Sequence, residues 1–333
     1  MTPSTIAADV SMSGLTRLFL GSSLAACKVR DAVRRAAKMD LPVLVVGESG
    51  SGKELVAREI HLRSVRARGA FVPLNCAAIP DTLVESELFG HEAGAYTDAH
   101  GVRRGYFEMA HHGTLFLDEI GDLSAIAQPK LLRALETGEV FRVGSESPKP
   151  VDVRIIAATN HNLAEMTRER KFRLDLYYRI RILEISIPPL RERLEDLPEL
   201  VEHFARIITR ANNREFREIT PSAVEILRSY PWPGNVRELR SVVERAVAST
   251  SGPVLDANCF TLDPTSGVGL ELGSMLQKDW RTARRKFEWA YVNYLLGRSK
   301  GDVGEAARAA GLAPRSLYKM LHRLGLRPDR WFS

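Results

Sequence analysis

Gly47-Glu48-Ser49-Gly50-Ser51-Gly52-Lys53-Glu54 is the stretch on which the fold turns. An apolar run at 41–46 leads into it and a helical stretch at 53–62 leaves it, which makes a strand, Gly-rich turn, helix unit. Gly47, Glu48, Ser49, Gly50, Ser51 and Gly52 supply a cradle in which main-chain N–H groups at a helix N-terminus surround phosphate oxygens, and Lys53 offsets their charge. The general pattern puts Ser or Thr, a Mg2+ ligand, after the lysine; here that residue is Glu54. Read alone, the octapeptide is a phosphate loop or an ordinary Gly-rich turn.

Working outward, further apolar runs of strand length stand at 70–74, 114–117, 153–158 and 183–187, separated by helical segments, with helical character also at 29–38. Continuous apolar strands alternating with helices predict an α/β core with a mostly parallel sheet covered on both faces. Pro188, Pro189 and Pro198 punctuate its end. Residues 197–250 read as helices broken at 229–234, a small helical lid, and residues 251–273 are rich in Gly, Ser, Thr and Pro. The expected organisation is a short segment 1–18, an α/β core 19–188, a lid 189–252, a linker 253–275 and a small all-α domain 276–333. Residues 1–18 are too few for a folded sensory domain, so control is expected from a separate protein acting in trans, from expression level or from a partner subunit.

The charge is unevenly placed. The net charge is +6, yet the segment from Lys278 to Ser333 holds 13 basic against 5 acidic residues, so the excess lies at the C-terminal end and points to a polyanionic partner. Cys27, Cys76 and Cys259 are odd in number and form no CxxC pair, which argues against a disulfide framework or zinc site and fits a reducing cytoplasm. No run approaches the roughly 20 apolar residues of a membrane span, and no signal peptide opens the chain.

About 65 residues after the loop, Asp118 and Glu119 close the apolar run at 114–117, bringing two carboxylates to the sheet edge. One can hold Mg2+ through water while the other deprotonates an attacking water. Together with the octapeptide, the segments 85–89, 94–99, 113–119, 172–179 and 232–239 resemble the AAA+ central domain of bacterial enhancer-binding proteins, the sigma-54-dependent transcription activators, over residues 20–250. In that family Glu after the loop lysine is usual. The resemblance implies ATP and Mg2+, with Lys53 on the phosphates, Asp118 on the metal through water and Glu119 as the base. It assigns Asn75 as the switch that holds the glutamate according to nucleotide state, Asn160 as the sensor near the γ-phosphate, and Arg237 as the lid sensor. Arg173 and Arg179 are similar to arginine fingers reaching a neighbouring subunit's nucleotide, which implies a ring, a hexamer. Without the resemblance, Asn75 and Asn160 read as turn residues and the arginines as a solvated helix face.

The hexapeptide Gly94, Ala95, Tyr96, Thr97, Asp98, Ala99 is similar to the family's Gly-Ala-Phe-Thr-Gly-Ala loop, which touches sigma-54, and residues 135–149 resemble the loop that moves with it. Tyr96 keeps the aromatic ring. Asp98 adds a Cβ and a charge where the family has Gly. Two readings follow: an activator that remodels sigma-54 RNA polymerase, or a DNA-binding AAA+ regulator that does not contact sigma-54.

At the C-terminal end, 304–310, Gly311 and 314–324 read as helix, turn, helix. Ala306, Ala307, Ala310, Leu312, Leu317, Met320, Leu321 and Leu324 are expected to face inward. Arg315, Ser316, Lys319, His322 and Arg323 fall on the other side, suited to guanine edges and phosphates. Residues 292–326 resemble the factor-for-inversion-stimulation type of helix-turn-helix, which implies binding of upstream DNA as a dimer on paired half-sites.

Overall fold

A computed structural model describes residues 18–95, 101–250, 252–262 and 302–324, together with isolated helical positions between 284 and 295. The first part of the chain runs through α1 (Leu24–Ala37), β1 (Val43–Val46), α2 (Lys53–Leu62), β2 (Phe71–Asn75), α3 (Val84–Phe89), β3 (Gly90–His91), β4 (Arg103–Arg104) and α4 (Tyr106–Met109). It continues with β5 (Thr114–Asp118), α5 (Ala127–Thr137), β6 (Glu139–Phe141), β7 (Pro148–Pro150), β8 (Arg154–Thr159), α6 (Leu163–Arg168), α7 (Leu174–Ile180) and β9 (Leu183–Ser186).

Five of these strands form one parallel sheet in the order β2-β5-β8-β1-β9. Successive side chains of a strand point to opposite faces, and here both faces are covered. Leu44, Leu115, Leu117, Ile155 and Ala157 pack with Leu88, Leu131, Leu176 and Ile180 from α3, α5 and α7. Val43, Val45, Phe116, Ile156, Ala158 and Ile185 pack with Val29 and Val33 of α1 and Val56, Ala57 and Ile60 of α2. This double burial is why the strands are legible as apolar runs. Three of them extend one polar residue beyond the apolar run, to Asn75, Asp118 and Thr159, and Asn75 and Asp118 are partners in register. Polar groups therefore line the edge at which the strands end. Helix α1 starts at Leu24 rather than near 29, because the Ser23 hydroxyl accepts the Ala26 N–H as an N-cap.

The lid comprises α8 (Leu197–Ala211), β10 (Glu218–Ile219), α9 (Pro221–Arg228), α10 (Asn235–Ser249) and β11 (Val254–Leu255). Trp232 fills its core among Leu227, Leu239 and Val243, fully buried, and its indole N–H donates to the Leu227 carbonyl at 2.8 Å. Leu255 and Phe260 are buried in the same core, so the segment expected to be linker begins inside the lid: its apolar residues have a face to cover. A break at 212–220, between α8 and α9, adds to the expected one before α10.

Residues from Asp263 onward form a separate unit. In it Asp302 caps α11 (Val303–Ala309), the chain turns at Gly311 with φ 66°, and α12 (Pro314–Leu324) follows. Ala306, Ala307, Leu317 and Leu321 are buried, with Ala310 and Met320 packed against them. Leu312 departs from expectation: it is exposed, because the left-handed turn at Gly311 directs it away from the small core. The side chains of Leu324 and His322 lie outside the described residues. Among the described residues, no helix is long and apolar enough to cross a membrane.

Candidate active site

The loop leaves β1 with the Gly47 N–H bonded to the Thr159 carbonyl at 3.2 Å, and enters α2 through Gly50 and Gly52 at φ 75° and 108°. A Cβ at Gly50 would collide with the Gly234 carbonyl of the lid, and one at Gly47 would lie 2.9 Å from Ser51 Oγ. Glycine is thus required by conformation and by close approach. Lys53 is buried and folds back, its Nζ donating to the Gly47 carbonyl at 3.0 Å and to Glu119 Oε1 at 3.1 Å. Glu54 turns outward instead and pairs with Arg58 at 2.8 Å. Its charge still suits the first turn of α2, where the helix dipole favours an anion.

Asp118 ends β5, and Glu119 follows in the left-handed region at φ 50°, ψ 52°. Glu119 Oε2 accepts the Asn160 N–H at 3.0 Å, while Asp118 Oδ1 accepts the Glu119 N–H at 3.1 Å. Burial, and then the neighbouring Glu119 charge, push the Asp118 carboxyl above its ordinary value. Two carboxylates facing one ammonium leave a negative surplus that a divalent cation would neutralise. Inside the loop the Ser51 hydroxyl is buried with no hydrogen-bond partner, an orphan that an additional oxygen-bearing group can satisfy. These residues fit a phosphate chain with a divalent cation. Beside them, Cys76 is buried, and burial followed by the charges of Asp118, Asp122 and Glu119 pushes its thiol up to about 12.

The expected site residues do not all converge. The Asn75 Oδ1 accepts the Ala77 N–H at 2.9 Å and caps the turn after β2, one strand away from Asp118. Asn160 reaches Glu119 through its backbone N–H. Arg173 forms a fork with Asp175 at 3.0 and 2.7 Å, and Arg179 donates to the Leu135 carbonyl at 2.8 Å near the end of α5. Both arginines are exposed at α7 and pair away from their own chain's loop. Gly94 and Ala95 are described, whereas Tyr96, Thr97, Asp98 and Ala99 lie outside the described residues. The base of this loop is bonded to the 139–150 hairpin through Gly90 and Val143 at 2.9 Å and through Arg142, which bridges Glu92 and Glu108 at 2.9 and 2.7 Å.

The lid closes over the loop. Arg237 Nη1 donates to Ser49 Oγ at 3.0 Å. Sequence reasoning missed three neighbours. Asn235 Nδ2 donates to Glu48 Oε2 at 3.0 Å and to the Ser49 carbonyl at 3.1 Å. Arg191 forks onto Glu48 at 2.9 and 2.6 Å and, as the main cause, holds its carboxyl below the ordinary range. Arg193 donates to the Ser51 carbonyl at 3.0 Å over the Phe19 ring, and burial pulls its guanidinium down to about 10. The available signal was the pair of arginines that follows Pro188 and Pro189.

On α12, Arg315, Ser316, Lys319 and Arg323 are exposed opposite the buried Leu317 and Leu321, and Arg323 pairs with Glu288 at 2.6 Å.

Residues 19–186 match the sigma-54 interaction domain, and residues 191–265 match the AAA+ ATPase lid domain. NtrX from Brucella abortus, solved in complex with ADP, is 36% identical with a TM-score of 0.69, over 92% of this chain and 70% of that one. The chain belongs to the sigma-54 interaction domain family. Among curated relatives, nitrogen fixation protein AnfA of Azotobacter vinelandii is 43% identical over 92% of this chain and 57% of its own length. The Nif-specific regulatory protein of Klebsiella pneumoniae is 53% identical over 70% of this chain and 44% of its own length. The chain spans 57%, 63% and 58% of the first three curated relatives it matches. Within it, Lys53, Asp118, Glu119, Arg173 and Arg179 all fall in the sigma-54 interaction domain, and Arg237 falls in the lid.

Proposed function

We propose that this chain hydrolyses ATP between neighbouring subunits of a hexameric ring and uses the cycle to press its 94–99 loop against sigma-54 RNA polymerase, opening promoters from an upstream DNA site held by its C-terminal helices. One observation carries the reading: Lys53, Asp118 and Glu119 meet at one sheet edge, while Arg173 and Arg179 face outward, apart from their own chain's loop. Arg237 and Arg193 reach the loop from the same chain, whereas Arg173 and Arg179 do not, so in this reading the guanidinium that meets the terminal phosphate comes from a second subunit.

Lys53 and the loop N–H groups would bind the phosphates, and Asp118 would be the residue that holds Mg2+. When bound, Mg2+ neutralises phosphate charge and orients the terminal phosphoryl group. Glu119 takes the proton of the attacking water, for which it must leave Lys53. Asn75, on the strand beside Asp118, takes the role of the switch that holds Glu119 on release, for which its side chain must leave the Ala77 N–H. Arg237 relates lid position to the loop through Ser49. Arg315, Ser316, Lys319, His322 and Arg323 read the DNA site, and the protein works in the cytoplasm.

Asp98, where the family has Gly, favours a second reading, a DNA-bound regulator that makes no sigma-54 contact. Promoter opening by purified sigma-54 polymerase with ATP decides between the two. The wild-type chain should open the promoter, and Thr97→Ala should keep its ATPase while losing that activity. Wild-type ATPase without promoter opening, unrepaired by Asp98→Gly, would establish the second reading.

A further inference from the structure

Asn235 is fully buried at the first position of α10, in the left-handed region at φ 53°. Its Oδ1 accepts the Leu190 N–H at 2.8 Å, from the connector that joins core and lid. Its Nδ2 serves Glu48 and the Ser49 carbonyl, both in the first turn of the phosphate loop. A backbone N–H can only donate and a carbonyl can only accept, so these partners fix the amide's orientation and use its acceptor and both donors. Glu48 is held from its other side by Arg191 of the same connector.

We infer that Asn235 and Glu48 form a clasp that registers the lid on the phosphate loop, making both of them positioning residues for nucleotide turnover. The inference rests on the ATPase reading above. The Arg191–Glu48 pair alone does not set this register, since its side chains are 45% and 42% exposed and water competes for them. The amide is different: Asn235 is itself fully buried, so its side chain has only the Leu190 N–H, Glu48 and the Ser49 carbonyl as partners, and a carboxylate placed there meets Glu48 without a donor to offer it. Direct packing of Gly50 against the Gly234 carbonyl leaves little slack at the same junction. A lid displaced by a few ångströms must therefore break the clasp or drag the loop with it.

The test is Asn235→Asp, which keeps the size, the tolerance of a left-handed backbone and the acceptor for Leu190, but points a carboxylate at Glu48. KM for ATP should rise roughly tenfold, the scale of one lost hydrogen bond to a charged group, with the Trp232 emission of the folded lid retained. Adding Glu48→Gln returns an amide donor to the junction from the loop side and should recover most of the loss. An unchanged KM in Asn235→Asp, or a double variant no better than the single one, overturns the clasp. Should Asn235→Asp fail to fold, Glu48→Ala at the half-exposed partner takes its place: a several-fold rise in KM supports the clasp, and wild-type KM overturns it. A wild-type chain without ATPase sinks the underlying reading instead. The clasp is then judged by hydrogen exchange at residues 235–240, faster in Asn235→Asp if it holds and unchanged if it does not.

Discussion

Lys53 Nζ and Glu119 Oε1 lie 3.1 Å apart, so the proposed base rests on the lysine that the phosphates require. Arriving phosphates compete with Glu119 for one ammonium, and binding itself would free the carboxylate. Glu119→Gln should then bind nucleotide at least as tightly as wild type while hydrolysis falls by about 10²–10⁴. Titration with a fluorescent nucleotide and a phosphate-release assay read the two quantities separately. Normal turnover would remove Glu119 from the role of base.

Arg179 is bonded to the Leu135 carbonyl of its own chain, and the proposed finger role requires it to exchange that neutral acceptor for a phosphate of a neighbouring subunit. Arg179→Ala should lower turnover by about 10³ or more. Mixed with Glu119→Gln, it should recover part of the rate, because some junctions pair an intact finger with an intact base. Mixtures as inactive as their components would refute donation in trans.

Trp232 is enclosed by the lid core and bonded to Leu227, so Trp232→Ala leaves a cavity and removes one of the hydrogen bonds to the Leu227 carbonyl. A loss of about 3–5 kcal/mol is expected. Since the lid and sheet cores are distinct clusters, the loss should appear in hydrogen exchange as early opening of α8 to α10, with β5 and β8 still protected. Uniform loss across both would contradict separate cores.

Glu48 has a depressed carboxyl because Arg191 donates to it. Its contribution to stability is therefore complete above the ordinary glutamate value of about 4.3 and fades as pH falls through the lower folded-state value. In acid titrations followed by lid fluorescence, wild type and Glu48→Gln should differ by a constant amount above that value and converge below it. The difference should be small, as the pair is half-exposed. Convergence already near neutral pH would reject the assignment.

The parallel sheet was legible because burial on both faces leaves Val43 to Val46 and Leu115 to Leu117 without a polar interruption. The octapeptide and the start of α2 were legible for a local reason, since glycine placement and helix onset are encoded within a few residues. The polar ends of β2 and β8 were not, because Asn75 and Thr159 look like loop residues until a neighbouring strand pairs with them, whereas Asp118 was placed at the edge of β5 from the sequence. Nothing adjacent in sequence announces that Glu119 takes a left-handed backbone, or that Glu48 meets Asn235 from 187 positions away. Leu312 was misplaced because helical periodicity was carried through a turn that Gly311 breaks.

β8 stands between the strand that launches the phosphate loop and the strand that ends in Asp118. Two interstrand steps of about 4.8 Å open a berth roughly 10 Å wide between lysine-bearing and carboxylate-bearing elements. Adjacent strands would jam the carboxylates against the phosphates and leave a water molecule nowhere to stand. The intervening strand is thus a spacer whose tip touches both sides, the Thr159 carbonyl holding the Gly47 N–H of the loop and the Asn160 N–H holding Glu119.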